Sequence, residues 1–413
     1  MYLHIHTDCE YFAGCERLLP IIWNSKEITD TFQITFTYRK SRRYQIELDK
    51  FLPNSITAIA IFDSFLLRQF PFRSKIFRRR VFYNFFYFLD EVFSIVFLYP
   101  LFFYELTKLT YVFFKDRPDV LHINNGGYPG ARSARAAACA AKICGIPRIL
   151  MVVNNLAVPK NSLVRALDYP IDFMVRRCTN IFITASTQAN DAIINTLRLE
   201  RKMGQKIPNA TAAPQISESR ASIRKTMRCD PTTIVIGVVA SLEKRKGHEV
   251  LLNALANIVA DKPLLARRLN VWIIGDGPLA LSLEDASRNL GIGKITQFLG
   301  YKYDYQNFIS AMDIMVLCSI SNEDSPLATI EAMSLSVPLI VSDFAGLSDQ
   351  VVDEENGFLF PVGDSEALSK VLIKLIENEN LRINMGHAGY ARYQRHYSPN
   401  RFSADYMKLY LGT

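Results

Sequence analysis

The sequence alternates short apolar runs with helical patterns, and this alternation occurs twice, on either side of a polar stretch. The first set includes the run at 119–124, followed by an Ala-rich helical pattern at 131–144; the second begins with the run at 233–239. Buried parallel strands have such continuous apolar runs because helices cover both faces of their sheet. We therefore predict an α/β protein with two Rossmann-like domains facing each other across a cleft, with ligands at the carboxyl ends of the strands.

The chain length also requires more than one core. At 413 residues and 47.0 kDa, the chain exceeds what a single hydrophobic core usually serves. We predict a first domain over 1–212, an irregular polar linker over 213–232 and a second domain over 233–390. A C-terminal helix over 391–413 is expected to cross back to the first domain.

Charge differs between the two halves of the chain. Residues 1–212 contain 28 basic and 17 acidic side chains, whereas the remainder contains 20 basic and 23 acidic ones. A basic half indicates an anionic partner, either a nucleic acid or a membrane surface. Because no nucleic-acid recognition motif is present, we expect no nucleic-acid partner.

Metal and disulfide chemistry are not indicated. The seven cysteines are scattered without CxxC spacing, the histidines show no metal-ligand spacing beyond His4 and His6, and no D-x-D triplet occurs. We therefore expect neither a metal nor another cofactor. Polar residues such as His4 and Asp8 interrupt the N-terminus where a signal peptide needs an apolar run, so the sequence favours a cytoplasmic location.

The segment 66–114 is the compositional anomaly of the first half, since it combines cations with many Phe and Tyr residues. Its apolar piece at 92–104 is too short to span a bilayer, which needs about 20 apolar residues. We predict that the segment lies on an anionic membrane surface, with aromatic rings in the acyl boundary. The cations assigned to lipid phosphates are Arg73, Lys75, Arg78, Arg79 and Arg80. The alternative is that these helices are buried core of the first domain.

Two acidic residues, Glu323 and Glu331, flank a predicted helix start. Ser325 is a favoured N-cap and Pro326 a favoured first helical residue, with Leu327 next in the first turn. The unbonded N–H groups and the positive dipole end of such a helix suit a diphosphate.

The stretch from Glu323 to Glu331 resembles the E-x7-E motif of family 4 retaining glycosyltransferases of the GT-B fold. The resemblance covers the second domain and, more weakly, the first. It implies that Glu323 is the catalytic residue holding hydroxyls of the donor sugar, and that Glu331 binds the ribose of the nucleotide.

A second stretch, 240–247, is similar to the family's G-R-L-x-x-x-K-G loop. The match implies that Lys246 binds the donor diphosphate. Ser241 stands where the family has an arginine, and Arg245 is the nearby cation that could replace it. Gly277, in the strand-to-helix turn GDGP, completes the donor-binding set.

Three residues of the first domain are assigned to the acceptor side. Gly14 lies where the family has a Gly-rich loop, and Asn125 belongs to a second Gly-rich stretch. Asn154 stands where many members have a histidine, so it can hydrogen-bond a sugar but cannot titrate near neutral pH. His122, inside an apolar run, is interpreted as a core histidine.

The resemblance implies metal-independent transfer of a hexose from a nucleotide-diphosphate sugar to a hydroxyl, with retention at the anomeric carbon. The basic aromatic segment favours a lipid-linked saccharide acceptor, as in cell-surface polysaccharide synthesis, and a peripheral position on the inner face of the cytoplasmic membrane. The alternatives are a GT-B phosphorylase or epimerase, and a catalytically silent membrane-associated scaffold.

Overall fold

A computed structural model describes residues 1–9, 12, 14–63, 96–159 and 163–413 of the chain. It divides into two compact units, one formed by 1–207 together with 403–413 and the other by 208–402. Each unit is a parallel sheet covered by helices, so the predicted α/β architecture with two parallel-sheet domains is confirmed.

The first unit has a parallel sheet in the order β3-β2-β1-β4-β5-β6-β7. Its described strands are β1 (Tyr2–Thr7), β2 (Gln33–Lys40), β3 (Thr57–Asp63), β4 (Val120–Asn125), β5 (Arg148–Val153), β6 (Ile181–Thr184) and β7 (Gly204–Lys206). Its described helices are α1 (Leu19–Trp23), α2 (Lys26–Thr31), α3 (Arg42–Phe51), α4 (Leu98–Asp116), α5 (Arg132–Ile143), α6 (Leu163–Leu167), α7 (Tyr169–Cys178) and α8 (Thr187–Leu197). Short 3-10 turns cover Gly14–Leu18 and Arg201–Met203.

Helix α5 lies at the centre of the first unit's helical layer because its side chains are small. All residues from Ala136 to Ala141 are buried, and all are alanine except Cys139. Small side chains let neighbouring helices approach closely, and α5 packs against both α4 and α7.

The second unit has a parallel sheet in the order β10-β9-β8-β11-β12-β13. Its strands are β8 (Ile234–Val239), β9 (Leu269–Ile274), β10 (Thr296–Gly300), β11 (Ile314–Leu317), β12 (Leu339–Ser342) and β13 (Gly357–Phe360). Its helices are α9 (Arg220–Thr226), α10 (His248–Asp261), α11 (Pro263–Ala266), α12 (Ala280–Asn289), α13 (Tyr305–Ala311), α14 (Leu327–Ser334), α15 (Gly346–Gln350), α16 (Ser365–Glu377) and α17 (Glu379–His396). A 3-10 turn covers Lys244–Lys246.

Both sheets reverse their strand order at one point. In the second unit, chain order runs outward from β8 through β9 to β10, and then resumes on the other side with β11. In the first unit, the same reversal lies between β1 and β4. Ligands of open parallel sheets bind outside the carboxyl ends of the strands at such a point.

The stretch 213–232, expected to be an irregular linker, contains a helix and belongs to the second unit. Ile223 of α9 is buried, and Arg224 hydrogen-bonds Asp313 at 3.0 Å. Arg220 also contacts Asp313. The expectation of an irregular linker is therefore wrong for α9, because Ile223 and the two arginines attach this helix to the second unit.

The last helix, α18 (Pro399–Leu411), begins in the second unit, and its residues from Ser403 onward belong to the first. This agrees with the expected return of the C-terminal segment. His122 Nδ1 lies 2.7 Å from the Tyr410 hydroxyl, and Arg148 donates to the Leu409 carbonyl at 2.9 Å. His122 is buried, as expected of a core histidine.

The aromatic segment is described only from residue 96 onward, so its cations Arg73, Lys75, Arg78, Arg79 and Arg80 lie outside the described residues. Helix α4, which lies at the C-terminal end of this segment, has two different faces. One face is core and includes Phe102, Leu109 and Phe113, whereas the other exposes Tyr111 and Phe114. Among the described helices, none combines the length and the apolar character that crossing a bilayer requires.

Candidate functional site

The switch point of the second sheet contains a buried ion pair. Lys246, in the loop after β8, contacts the carboxylate of Glu323, in the loop after β11, through its Nζ. Both residues are nearly inaccessible, at 9% and 8% exposure. The Ser319 hydroxyl donates to the same oxygen, Oε2, at 2.9 Å. The structure therefore brings together two residues that the sequence assigned to one donor site.

A glycine permits the two loops to meet. Gly247 has a φ of 62°, and a Cβ there would lie 2.1 Å from the Cys318 carbonyl oxygen. Only glycine accommodates both this conformation and this approach. His248 Nε2 lies 3.0 Å from the Ser241 carbonyl, which ties the beginning of the same loop to α10.

The helix start after β11 differs from the expectation. Helix α14 begins at Leu327 with Pro326 in the N-cap position, so Ser325 is not the cap and Pro326 is not the first helical residue. The Ser325 hydroxyl instead accepts a hydrogen bond from Gln350 Nε2 at 2.9 Å. Gln350 also donates to the Pro326 carbonyl at 3.2 Å and accepts from Thr329. Gln350 thus holds the helix start that we expected Ser325 to cap.

Glu331 lies inside α14 and is 4% exposed. Its Oε1 accepts a hydrogen bond from the Tyr305 hydroxyl at 3.0 Å and another from Gln306 Nε2 at 3.2 Å. Both donors belong to the beginning of α13. The carboxylate is therefore oriented by neutral donors from a neighbouring helix.

The remaining donor-side residues have different surroundings. Arg245 donates to Glu243 at 2.7 Å and to the Asn322 carbonyl at 3.2 Å. Arg245 therefore hydrogen-bonds a residue of its own loop and a residue of the loop after β11. The Ser241 hydroxyl has no hydrogen-bond partner within the described part of the chain. Gly277 approaches the β8 loop closely, because a Cβ there would lie 2.6 Å from the Leu242 carbonyl oxygen.

In the first unit, a buried carboxylate occupies the switch-point end of the sheet. Glu16 accepts hydrogen bonds from the Thr7 hydroxyl at 2.7 Å, the Tyr44 hydroxyl at 2.6 Å and Asn124 Nδ2 at 2.9 Å. Burial raises the pKa of Glu16, while these hydrogen bonds oppose the rise. The 3-10 turn that carries Glu16 begins at Gly14, whose φ is 56°.

The two asparagines assigned to the acceptor side also shape the backbone. Asn125 Oδ1 accepts from the Ala131 amide at 3.1 Å and so closes the Gly-rich loop. Asn154 Nδ2 donates to Asn124 Oδ1 at 2.8 Å and to the Asn125 carbonyl at 3.0 Å. Asn154 therefore joins the ends of β4 and β5, next to the Glu16 group.

One group of described side chains has the geometry to hold a metal ion. The sulfur atoms of Cys9 and Cys15 and a carboxylate oxygen of Glu16 all lie within 4.8 Å of one another. Cys9 and Cys15 are six positions apart, which matches no common metal-ligand spacing, so no sequence pattern indicates the group.

Several residues of the site have no sequence signal that would have identified them. Gln350 lies 25 residues beyond Ser325, and Tyr305 lies 26 residues before Glu331. Such contacts depend on how helices pack in three dimensions. Ser319 was within reach of sequence reasoning, because it is a polar residue two positions after the strand at the switch point.

Comparison with known proteins finds a family match within the second unit. Residues 219–392 match the family Glycosyl transferases group 1. The Escherichia coli UDP-Gal:alpha-D-GlcNAc-diphosphoundecaprenol alpha-1,3-galactosyltransferase is 25% identical over 276 residues, which cover 65% of this chain and 69% of that protein. The Staphylococcus aureus capsular polysaccharide biosynthesis glycosyltransferase CapM is 25% identical over 306 residues, covering 71% of this chain and 77% of that protein.

Solved structures support the same fold. Anabaena Alr3699/HepE, crystallised in complex with UDP, superposes with a TM-score of 0.76 at 16% sequence identity and covers 100% of both chains. WaaG, a glycosyltransferase involved in lipopolysaccharide biosynthesis, superposes with a TM-score of 0.64 at 12% identity. Residues 219–392 are therefore a group 1 glycosyltransferase domain, and the chain has the GT-B fold.

Proposed function

We propose that this glycosyltransferase moves a hexose from a UDP-sugar to a hydroxyl of a lipid-linked saccharide, with retention of anomeric configuration, in the synthesis of a cell-surface polysaccharide. The observation that carries the proposal is the buried contact of Lys246 with Glu323 at the switch point, directly before the helix that contains Glu331. Support for the donor and acceptor comes from the Escherichia coli relative, whose name specifies UDP-Gal and a diphosphoundecaprenol-linked sugar.

In the proposed reaction, the bond between the anomeric carbon and the donor diphosphate breaks, and a bond to the acceptor oxygen forms. The acceptor proton leaves with the nucleoside diphosphate. Lys246 and the start of α14 would bind the departing diphosphate, which gains charge as the bond breaks. Lys246 must then exchange its contact with Glu323 for one with phosphate, which releases Glu323 to hold hydroxyls of the sugar.

We further propose that transfer needs no metal ion. A divalent cation would otherwise neutralise the diphosphate, and here Lys246 and the unbonded N–H groups at the start of α14 would supply that charge. The expected result is that Mg²⁺ or Mn²⁺ added to the purified protein leaves kcat unchanged.

The proposed location is the inner face of the cytoplasmic membrane, with the protein bound peripherally. Support comes from the exposed side of α4, where Phe103, Tyr104, Tyr111 and Phe114 accompany Lys108 and Lys115. The basic stretch 68–80 that precedes α4 in the sequence adds six cations. Aromatic rings next to cations suit an anionic lipid surface.

The role of Glu323 can be tested by Glu323→Gln. The change keeps the size of the side chain but removes the charge, so we expect kcat to fall at least about tenfold while the KM for the donor changes little. Release of UDP from UDP-hexoses, measured with and without a lipid-linked acceptor, provides the readout.

Glu366→Gln is the control, since Glu366 is a surface residue of the same unit. A Glu323→Gln variant with the kcat of the wild type would show that Glu323 does not hold the sugar. A wild-type protein that binds the donor but never transfers its hexose would favour a silent scaffold instead.

A further inference from the structure

The carboxylate of Glu331 is held from outside its own helix. Tyr305 and Gln306 are the first two residues of α13, and both donate to Glu331 Oε1, at 3.0 Å and 3.2 Å. We propose that Tyr305 and Gln306 are positioning residues for the nucleotide, which fix the Glu331 carboxylate in the orientation that accepts the ribose hydroxyls. This inference rests on the proposed role of Glu331 in donor binding.

The chemistry of the two donors supports this role. A carboxylate offers about four acceptor positions, so two hydrogen bonds on one oxygen orient the group without saturating it. Both donors are neutral, so the negative charge of Glu331 is not cancelled by an ion pair with either of them. A ribose diol binds such a group through charge-assisted hydrogen bonds.

Pre-organisation explains why two donors would be needed. A glutamate side chain has several rotatable bonds, and binding must otherwise restrict them. Because Glu331 is buried and already bonded to α13, its orientation is set before the nucleotide arrives. Removing either donor should therefore weaken nucleotide binding without altering the chemical step.

Helix α13 has attachments other than these two polar groups. Its attachment comes from the next residues, since Phe308 packs edge-to-face on Trp272 and Asn307 hydrogen-bonds Ser217. Tyr305→Phe keeps the aromatic ring, and Gln306→Leu keeps similar bulk. Both variants should therefore fold. If one of them fails to fold, the other can still test the proposal.

A double-mutant cycle for UDP affinity tests the proposal. Calorimetry would compare the wild type, Tyr305→Phe, Glu331→Ala and the double variant. We expect Tyr305→Phe alone to weaken UDP binding about three- to tenfold, which is typical of one hydrogen bond. In the Glu331→Ala background, the same change should have almost no effect, because its acceptor is gone. Gln306→Leu should follow the same pattern.

Steady-state kinetics add a readout that a merely structural role would not produce. The KM for the donor should rise in Tyr305→Phe, while kcat stays within about twofold of the wild type. Tyr390→Phe is the matched control, because it removes a hydroxyl from a partly exposed tyrosine on α17 of the same unit.

The possible outcomes separate this inference from the proposed function. If Glu331→Ala lowers UDP affinity but Tyr305→Phe costs the same in both backgrounds, Tyr305 acts independently of Glu331 and the positioning role is wrong. If Glu331→Ala leaves UDP affinity unchanged, the proposed role of Glu331 fails, and the positioning role fails with it.

Discussion

At the residue scale, the contact between Lys246 and Glu323 links stability to function. A buried ion pair adds little to stability as a whole, but removing one partner leaves an uncompensated buried charge. Lys246 and Glu323 are in contact in the structure. Under the proposed function, a diphosphate that binds Lys246 must break this contact.

A stability measurement tests whether the two residues are coupled. We expect Lys246→Met to lower the free energy of unfolding by about 3 kcal/mol, because Glu323 remains buried without its partner. Adding Glu323→Gln should recover most of this loss while activity stays low. Urea unfolding at pH 7 provides the measurement. A double variant no more stable than Lys246→Met would show that the contact is not a coupled pair.

The buried His122 should make stability depend on pH. Burial lowers the pKa of His122 to about 3, well below the value of about 6.5 that histidine has in an unfolded chain. The folded protein therefore binds fewer protons than the unfolded chain between these values, and stability must fall as pH drops below about 6.5.

The expected effect approaches about 1.4 kcal/mol of unfolding free energy for each pH unit once the pH is well below 6.5. Burial also lowers the pKa values of His4 and His6. The wild type should therefore lose more unfolding free energy on acidification than one histidine accounts for. His122→Asn should reduce the loss between pH 6.5 and 5.5 by about 1 kcal/mol. An identical loss of unfolding free energy in the variant would mean that folding does not lower the pKa of His122.

Sequence reasoning at this scale found residue types but not all partners. Glu323, Glu331 and Lys246 could be selected as candidates because their motif is local and resembles that of a known family. The helix start was placed one residue too early, because Ser325 has the chemistry of an N-cap and nothing in the sequence shows that Gln350 binds its hydroxyl.

At the element scale, helix α4 explains why the aromatic segment could be interpreted in two ways. Its buried face packs against α5 as core, and its other face presents aromatic rings to solvent. Core packing is therefore observed for one face of the helix, and membrane contact stays a prediction for the other. Aromatic content alone cannot separate them, because Phe and Tyr occur on both faces.

The exposed face can be tested with anionic vesicles. Tyr111 is 73% and Phe114 64% exposed, so changing both to serine should leave the core intact. Loss of apolar insertion should weaken partitioning to phosphatidylglycerol vesicles about tenfold. Leu281→Ser, at a site 77% exposed in the second unit, is the control and should partition like the wild type.

The cations form the second arm of the same vesicle experiment. Replacing Arg78, Arg79 and Arg80 by serine should remove about 3 kcal/mol of attraction, or roughly a hundredfold in partitioning. The difference should shrink as salt rises, because salt screens surface charges. If both sets of variants sediment with vesicles like the wild type at low salt, the proposed membrane surface is wrong.

At the scale of the whole molecule, the fold could be predicted because parallel strands buried on both faces are continuously apolar. The strands β4, β8 and β11 have this character and were visible in the sequence. The polar connection 213–232 was not predicted as part of the second unit. One buried isoleucine, Ile223, attaches α9, and a single apolar residue gives too weak a pattern.

The site itself depends on contacts between distant parts of the chain. Lys246 and Glu323 are 77 residues apart, and they meet because β8 and β11 are neighbours in the sheet. The strand order that makes them neighbours follows from the fold class, since the switch point lies between these strands. The general location of the site was therefore predictable, whereas the hydrogen bonds that orient its residues were not.

Calorimetric titration of UDP into the wild type and Glu331→Gln tests the central claim most directly, namely that the second unit binds a nucleotide-sugar donor through Glu331. Glu355→Gln, an exposed change in the same unit, is the matched control. We expect the wild type and the control to bind UDP alike. Glu331→Gln should bind at least tenfold more weakly, because charge-assisted hydrogen bonds to two ribose hydroxyls are each worth about 1.5–3 kcal/mol. Equal UDP affinity in a folded Glu331→Gln variant, or no UDP binding by the wild type, would contradict the claim.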